Sequence, residues 1–231
     1  MLTLAVDTSS PSGSAAVLSG TRVLAETGTE SRLDHSARLL ASVRFLLDTC
    51  GLEITQVEGY SLAAGPGSFT GIRVGMSTIK ALAFASKRPV AAVSSLRALA
   101  LKLVQPQVRL LCPIIDAKKG EVYAALFEWT DSRDRMKELV APGAYKPDEF
   151  LAQLPGHRVM AFIGTGADLY KEKILTYVRD KARFSSRSLF IAPEVGLLGH
   201  ELLGRGQGQP GTDLRPLYLR RSQAEEKDSQ A

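Results

Sequence analysis

The chain states one pattern twice. Near its start LTLAVD (Leu2 to Asp7) is an apolar run that ends in a carboxylate, followed by the turn TSSPSGS and the apolar stretch Ala15 to Leu18. Much later RLLCPIID (Arg109 to Asp116) is again an apolar run ending in a carboxylate, followed by the turn AKKG and Glu121 to Glu128. Short apolar runs bounded by turn residues are strands. A unit that recurs within one chain implies two lobes of the same architecture. The sequence therefore predicts an α/β protein with a first lobe at 1–105 and a second at 106–221, divided near Pro106. The last segment of the second lobe is free to pack back on the first, and the polar stretch 222–231 is expected to be a disordered tail.

Composition is consistent with this plan and removes several classes of function. The 231 residues are 45% hydrophobic and 23% charged, which suits folded lobes and argues against general disorder. No apolar run reaches the about 18 residues of a membrane helix. The opening MLTLAVD lacks a basic leader and reads as a strand, so a cytoplasmic location and no membrane contact are expected. Cys50 and Cys112 are too few for a disulfide framework or a zinc site and read as core residues. The net charge of +5 is scattered along the chain, with no interleaved aromatic and basic residues to form a platform for single strands.

Arg22 to Thr27 reads as a third strand, which makes the start an antiparallel meander. Asp34 offers a helix N-cap, and Leu39, Leu40, Val43, Leu46, Leu47 and Cys50 follow at helical spacing up to Gly51 as the stop. Ala37, Ala41 and Phe45 widen the apolar arc beyond one stripe, so part of this helix is expected to be covered by something else.

The strand Tyr60 to Ala64 leads into GPGSFTGIRVG, from Gly65 to Gly75. Pro66 and the glycines shape a strand-to-helix turn, and Ser68 or Thr70 can cap the helix. Such a turn suits either an anion or packing alone. Two phosphate motifs fail on spacing: the third glycine comes one residue late for G-x-G-x-x-G, and Ile72 and Arg73 follow Gly71 where a Walker loop needs lysine. The helix that follows carries two apolar lines, Ile72, Met76, Ile79 and Ala83, and Val74, Thr78, Ala81 and Ala85. Gly71 and Gly75 are one turn apart, which would let a partner helix approach closely.

A strand Val90 to Val93 and a helix Ser95 to Val104 complete the first lobe. Helix Asp148 to Leu154, strand Val159 to Gly164, helix Asp168 to Val178 and helix Pro193 to Leu203 are assigned to the second. His35, His157 and His200 show no metal-ligand spacing, and no G-x-S-x-G elbow occurs. Asp7 and Asp116 are the best acidic candidates for a cation or an attacking water, but their turns favour the role of capping acceptor.

DTSS, the DHS stretch, AAGPGSFTGIRVGMSTIKALA, AVSSL and IIDAKKGEVYAALF closely resemble the bacterial TsaB family, also called YeaZ. The resemblance spans most of the chain and is most specific from Gly65 to Leu96. It implies two ribonuclease H-like lobes of the actin, sugar kinase and Hsp70 (ASKHA) type. It further implies a noncatalytic role in forming threonylcarbamoyladenosine beside the anticodon of ANN-decoding tRNAs, together with the metal-bearing transferase TsaD and the ATPase TsaE. Where TsaD has N-H-x-x-G-H, this chain reads Ser94, Ser95, Leu96, Arg97, Ala98, Leu99, so both ligand histidines are replaced. The implied interface comprises His35, Leu39, Ala41, Phe45, Gly71, Ile72, Gly75, Met76 and Ile79, docking on a TsaD-type paralogue or, in its absence, a second copy. A degenerate nucleotide site at Asp7, Thr8, Ser9, Gly164 and Gly166 leaves room for weak nucleotide binding in the complex, with no cofactor required and no metal. Transfer RNA is expected to bind mainly through the complex, with Lys118, Lys119, Arg220 and Arg221 as candidate direct contacts. A free-standing ATP-binding enzyme or peptidase of the same superfamily is the alternative.

Overall fold

The computed structural model describes residues 1–30, 35–130 and 136–219, without the side chains of Ser12 and residues 35–37. The Asp34 cap, Arg220, Arg221 and the tail at 222–231 lie outside the described residues. The described residues form two units: Met1–Ala98 with Leu189–Leu217, and Leu99–Ser188 with Tyr218 and Leu219.

In the first unit β1 (Leu2–Asp7), β2 (Ser12–Ser19) and β3 (Arg22–Glu30) form the antiparallel meander, and β4 (Gly59–Gly65) and β5 (Val90–Ser94) add in parallel beyond β1. The sheet order is β3-β2-β1-β4-β5. Strand side chains alternate between faces, and Leu4, Val6, Val17, Tyr60 and Leu62 join one core with residues of α1 (His35–Thr49) and α2 (Phe69–Ser86). Gly51, at φ 64, ends α1: its N–H reaches Asp48 O at 3.1 Å and Leu52 N–H reaches Leu47 O at 2.9 Å, closing carbonyls that the helix would leave open. Ser68 is the N-cap of α2, its hydroxyl accepting from Gly71 N at 3.2 Å.

A third helix, α7 (Ala192–Gly204), packs on β1, β2, β4 and β5. Its glycines leave room for the sheet's side chains: a Cβ at Gly196 would meet Leu18 and Ala5, and one at Gly199 would meet Ser61 and Ala91. The division read from the sequence near Pro106 moves to Ala98/Leu99, and the last segment, free in that reading to pack back on the first lobe, does so. Ala192, Val195, Gly196 and Gly199 are buried in α7, and Leu189–Leu217 belongs to the first unit.

The second unit repeats the topology. Strands β6 (Leu110–Lys118), β7 (Glu121–Trp129) and β8 (Met136–Tyr145) are antiparallel, and β9 (Met160–Ile163) and β10 (Ala182–Phe184) add in parallel. The order β8-β7-β6-β9-β10 matches the first sheet strand for strand. Its core gathers Cys112, Ile114, Leu126, Phe150, Phe162 and Ile174. The short helices are α3 (Ser95–Lys102, running across the 98/99 division), α4 (Pro147–Leu151), α5 (Thr165–Leu169) and α6 (Lys171–Val178). The single helix expected over 168–178 is thus two, broken at Tyr170.

Candidate functional site

The glycine-rich turn closes on its own lobe. Ser68 N donates to Ser9 O at 2.6 Å, and Thr8 Oγ1 donates to Gly71 O at 2.7 Å. A Cβ at Gly67 would lie 2.2 Å from Ser9 O, one at Gly71 2.0 Å from Thr8 O, and one at Gly75 2.3 Å from Thr8 Oγ1. The close approach that Gly71 and Gly75 permit is therefore to the β1–β2 turn, not to a partner helix. This corrects the sequence reading: the glycines let α2 start directly against Thr8 and Ser9.

Asp7 ends β1 beneath this turn. Its Oδ1 accepts from Ser9 N at 2.8 Å and from Ser9 Oγ at 2.6 Å, whereas Oδ2 is buried with no partner. Burial, opposed by the two Ser9 bonds, pushes its pKa from 3.8 up to about 6. A carboxyl whose folded pKa lies above its unfolded one favours the fold while protonated. Its contribution is full below pH 3.8 and is lost as pH rises through about 6, a swing of about 3 kcal/mol. Between pH 4 and 7 the urea unfolding free energy of the natural protein should fall by about that amount relative to Asp7→Asn. Parallel pH profiles for the two proteins would contradict this.

The equivalent carboxylate is held differently. Asp116 Oδ1 accepts from Lys118 N at 2.8 Å and Oδ2 pairs with Lys118 Nζ at 2.6 Å. Partial burial opposes ionisation, but the Lys118 bonds together outweigh it and hold the pKa below the usual value. Asp116 N donates to Thr165 Oγ1 at 3.0 Å. A Cβ at Gly164 would lie 2.3 Å from Ile114 O, and one at Gly166 2.7 Å from Ile114 Cγ2. In each lobe the small residues after the fourth strand pack against the end of the first. The N–H groups of Ser9, Ser68, Gly71 and Lys118 are bonded within their own lobe, and carbonyl oxygens face Gly67 and Gly71.

The residues read as an interface separate into two sets. Leu39, Gly71, Ile72, Gly75, Met76 and Ile79 are buried in the first lobe's core and present almost no surface. That part of the expectation is corrected: of the two apolar lines on α2, the one containing Ile72, Met76 and Ile79 faces the sheet. Ala41 is exposed, Phe45 is 63% exposed, and the His35 side chain lies outside the description. Leu40 of α1, one of the residues at helical spacing with the buried Leu39 and Val43, is 53% exposed, and Phe84 of α2 is 77% exposed. The available signal was helical phase: Phe84 falls with Ala81 and Ser77, off the Ile72, Met76, Ile79 and Ala83 line. Ser95 and Leu99 of α3, where the transferase motif places histidines, are both buried. Among the described residues no three His, Cys, Asp or Glu side chains gather where they could hold a metal, and no helix is long and apolar enough to cross a membrane.

Two five-stranded lobes of identical order define the two-lobed α/β class shared by actin, sugar kinases and Hsp70. The ROK hexokinase of Thermus thermophilus superposes with a TM-score of 0.50 at 12% identity over 88% of this chain and 100% of its own, a likeness of fold alone. YeaZ from Pseudomonas aeruginosa superposes with a TM-score of 0.81 at 30% identity, covering 94% of this chain and 99% of its own. A family model described as TsaD, tRNA N6-adenosine threonylcarbamoyltransferase, matches residues 23–226. The tRNA threonylcarbamoyladenosine biosynthesis protein TsaB of Bacillus subtilis (strain 168) is 30% identical, with 98% of this chain and 97% of that protein aligned. The chain belongs to the TsaB (YeaZ) family.

Proposed function

We propose that this chain is the noncatalytic scaffold subunit for forming threonylcarbamoyladenosine in tRNA, and that the exposed apolar face of α1 and α2 is where a TsaD-type transferase docks. A second copy takes that face when the transferase is absent, and a TsaE-type ATPase joins the assembly. The observation that carries this reading is the placement of Leu40, Phe45 and Phe84 in solvent on two helices whose inner lines already fill the lobe's core. Large apolar side chains left in solvent on helices whose inner faces already fill the core suit a protein contact.

The noncatalytic part of the reading is supported by donor chemistry. A serine hydroxyl and a leucine at positions 95 and 99 cannot ligate a transition metal as two imidazoles would. The bonded N–H groups of Ser9, Ser68, Gly71 and Lys118 support a chain that needs no nucleotide of its own. On this reading the transferase chemistry and the metal belong to the partner, and tRNA is engaged mainly through the complex.

Depletion of the protein in its own cell tests the function directly. Threonylcarbamoyladenosine in bulk tRNA, measured by nucleoside chromatography, should fall to a small fraction of its normal level. It should return with the natural chain but not with a Leu40→Asp/Phe45→Asp variant. Undiminished modification after depletion would remove the assignment.

A further inference from the structure

The second lobe contains a cavity that the docking reading does not use. It measures about 420 Å³ and is lined in part by Lys102, Gln105, Gln107, Arg183, Ser185 and Arg187. Its lining includes three cationic side chains and no carboxylate. Arg183 of β10 is the register partner of Ala161 of β9, so the two side chains share one face of the sheet, and the small Ala161 leaves space beside the guanidinium.

Both guanidiniums are positioned by main-chain oxygens. Arg183 Nη1 donates to Asp180 O at 2.6 Å and to Ala182 O at 2.9 Å, and Arg187 Nη1 donates to Lys102 O at 2.5 Å. One nitrogen of each is fixed, and a planar fork held at one end presents its remaining donors in a set direction. The Asp180 carboxylate, which senses the charge of Arg183, is itself bonded to Lys181 Nζ at 2.8 Å. Arg187 N donates to Ser185 Oγ at 3.2 Å, which leaves the hydroxyl proton of Ser185 able to donate.

We propose that this cavity binds a phosphoryl group, and that its source is the phosphodiester backbone of RNA. Both arginines are exposed, and although Leu103, Val108 and Phe184 also line the cavity, its surface is mainly polar, unlike a pocket that engulfs a small molecule. An exposed, charge-rich recess suits a phosphate on a passing backbone.

The test measures binding of labelled unfractionated tRNA by the full-length chain using fluorescence anisotropy in 0.1 M KCl. Arg183→Gln/Arg187→Gln should weaken binding by about tenfold or more and lower the slope of log K against log[KCl] by about 1 to 2. Ser186→Glu keeps both arginines and places a negative charge on the cavity rim. It should weaken binding by about fivefold while leaving the unfolding midpoint unchanged. Arg22→Gln/Lys137→Gln removes the same charge from exposed positions elsewhere and should change affinity less than about twofold. In a second arm inorganic phosphate is titrated and followed by amide NMR shifts. Shifts at 183–187 that the double variant abolishes, with no change in its tRNA affinity, would keep the phosphoryl site and overturn its RNA source. Equal losses in the cavity and control variants, or no response to either probe, would overturn the proposal.

Discussion

Gly71→Ala is expected to destabilise the isolated protein severely, with no partner present. The new Cβ would lie 2.0 Å from Thr8 O, a backbone atom that cannot rotate away. Relief requires either α2 or the β1–β2 turn to move. The turn is fixed by Thr8 Oγ1 on Gly71 O and by Ser68 N on Ser9 O, and α2 is fixed by Ile72 and Ile79 in the core. Overpacking against such a rigid neighbour costs about 3 kcal/mol or more, which lowers the melting temperature of a chain this size by roughly 6–12 °C. Gly75→Ala should cost less, because the atom it meets is the Thr8 hydroxyl, which can turn at the expense of its bond to Gly71 O. Differential scanning calorimetry of the two variants checks the ranking. An unchanged melting temperature in Gly71→Ala, coupled with a weakened complex, would restore the idea that these glycines face a partner.

Leu40→Asp/Phe45→Asp is expected to do the opposite, leaving the chain folded and removing its assembly. Both side chains are more than half exposed in the isolated chain, at 53% and 63%, so their replacement removes little internal packing. At a docked face the same change buries two carboxylates against an apolar surface. Loss of two apolar anchors together with that desolvation should weaken the complex by about a hundredfold or more. Native mass spectrometry with a TsaD-type transferase measures the loss, and a melting temperature within about 3 °C of the natural protein shows that the lobe survives. Leu169→Asp, at a position 60% exposed in the second lobe, is the matched control and should leave assembly intact. Retained assembly in the double variant would place the contact elsewhere.

The repeated strand-carboxylate-turn pattern was enough for two lobes, because β1 and β6 are short, nearly continuous apolar runs whose boundaries are chemically sharp. Strand β8 escaped notice because only Met136 and Val140 of it are buried, so its alternation is nearly silent, and Pro142 and Gly143 lie within it. Strand β10 has only three residues, too few to show any period. The apolar face of α2 was legible as two lines, but periodicity cannot tell which line meets the sheet. Thr8 decides it, because it lies 63 residues before Gly71 and comes beside it only in the fold. The Arg183 and Arg187 cavity left no motif, since Lys102 and Arg187 are joined by a hydrogen bond that crosses 85 residues of sequence.

The helix contributed by Ala192–Gly204 also governs the order in which the protein can be made. Strands β1 and β4 leave the ribosome early, yet the helix that covers them is encoded after the whole second lobe. At ordinary synthesis rates the stretch between residues 98 and 192 takes roughly 5–20 s to emerge. For that interval the first sheet has Ala5, Ser61 and Ala91 uncovered where α7 will lie. The second lobe, whose core residues lie between Leu110 and Phe184, can gather that core before α7 is made. Completion then proceeds against the direction of synthesis, and a ribosome that stalls after the second lobe releases a first lobe that is still open.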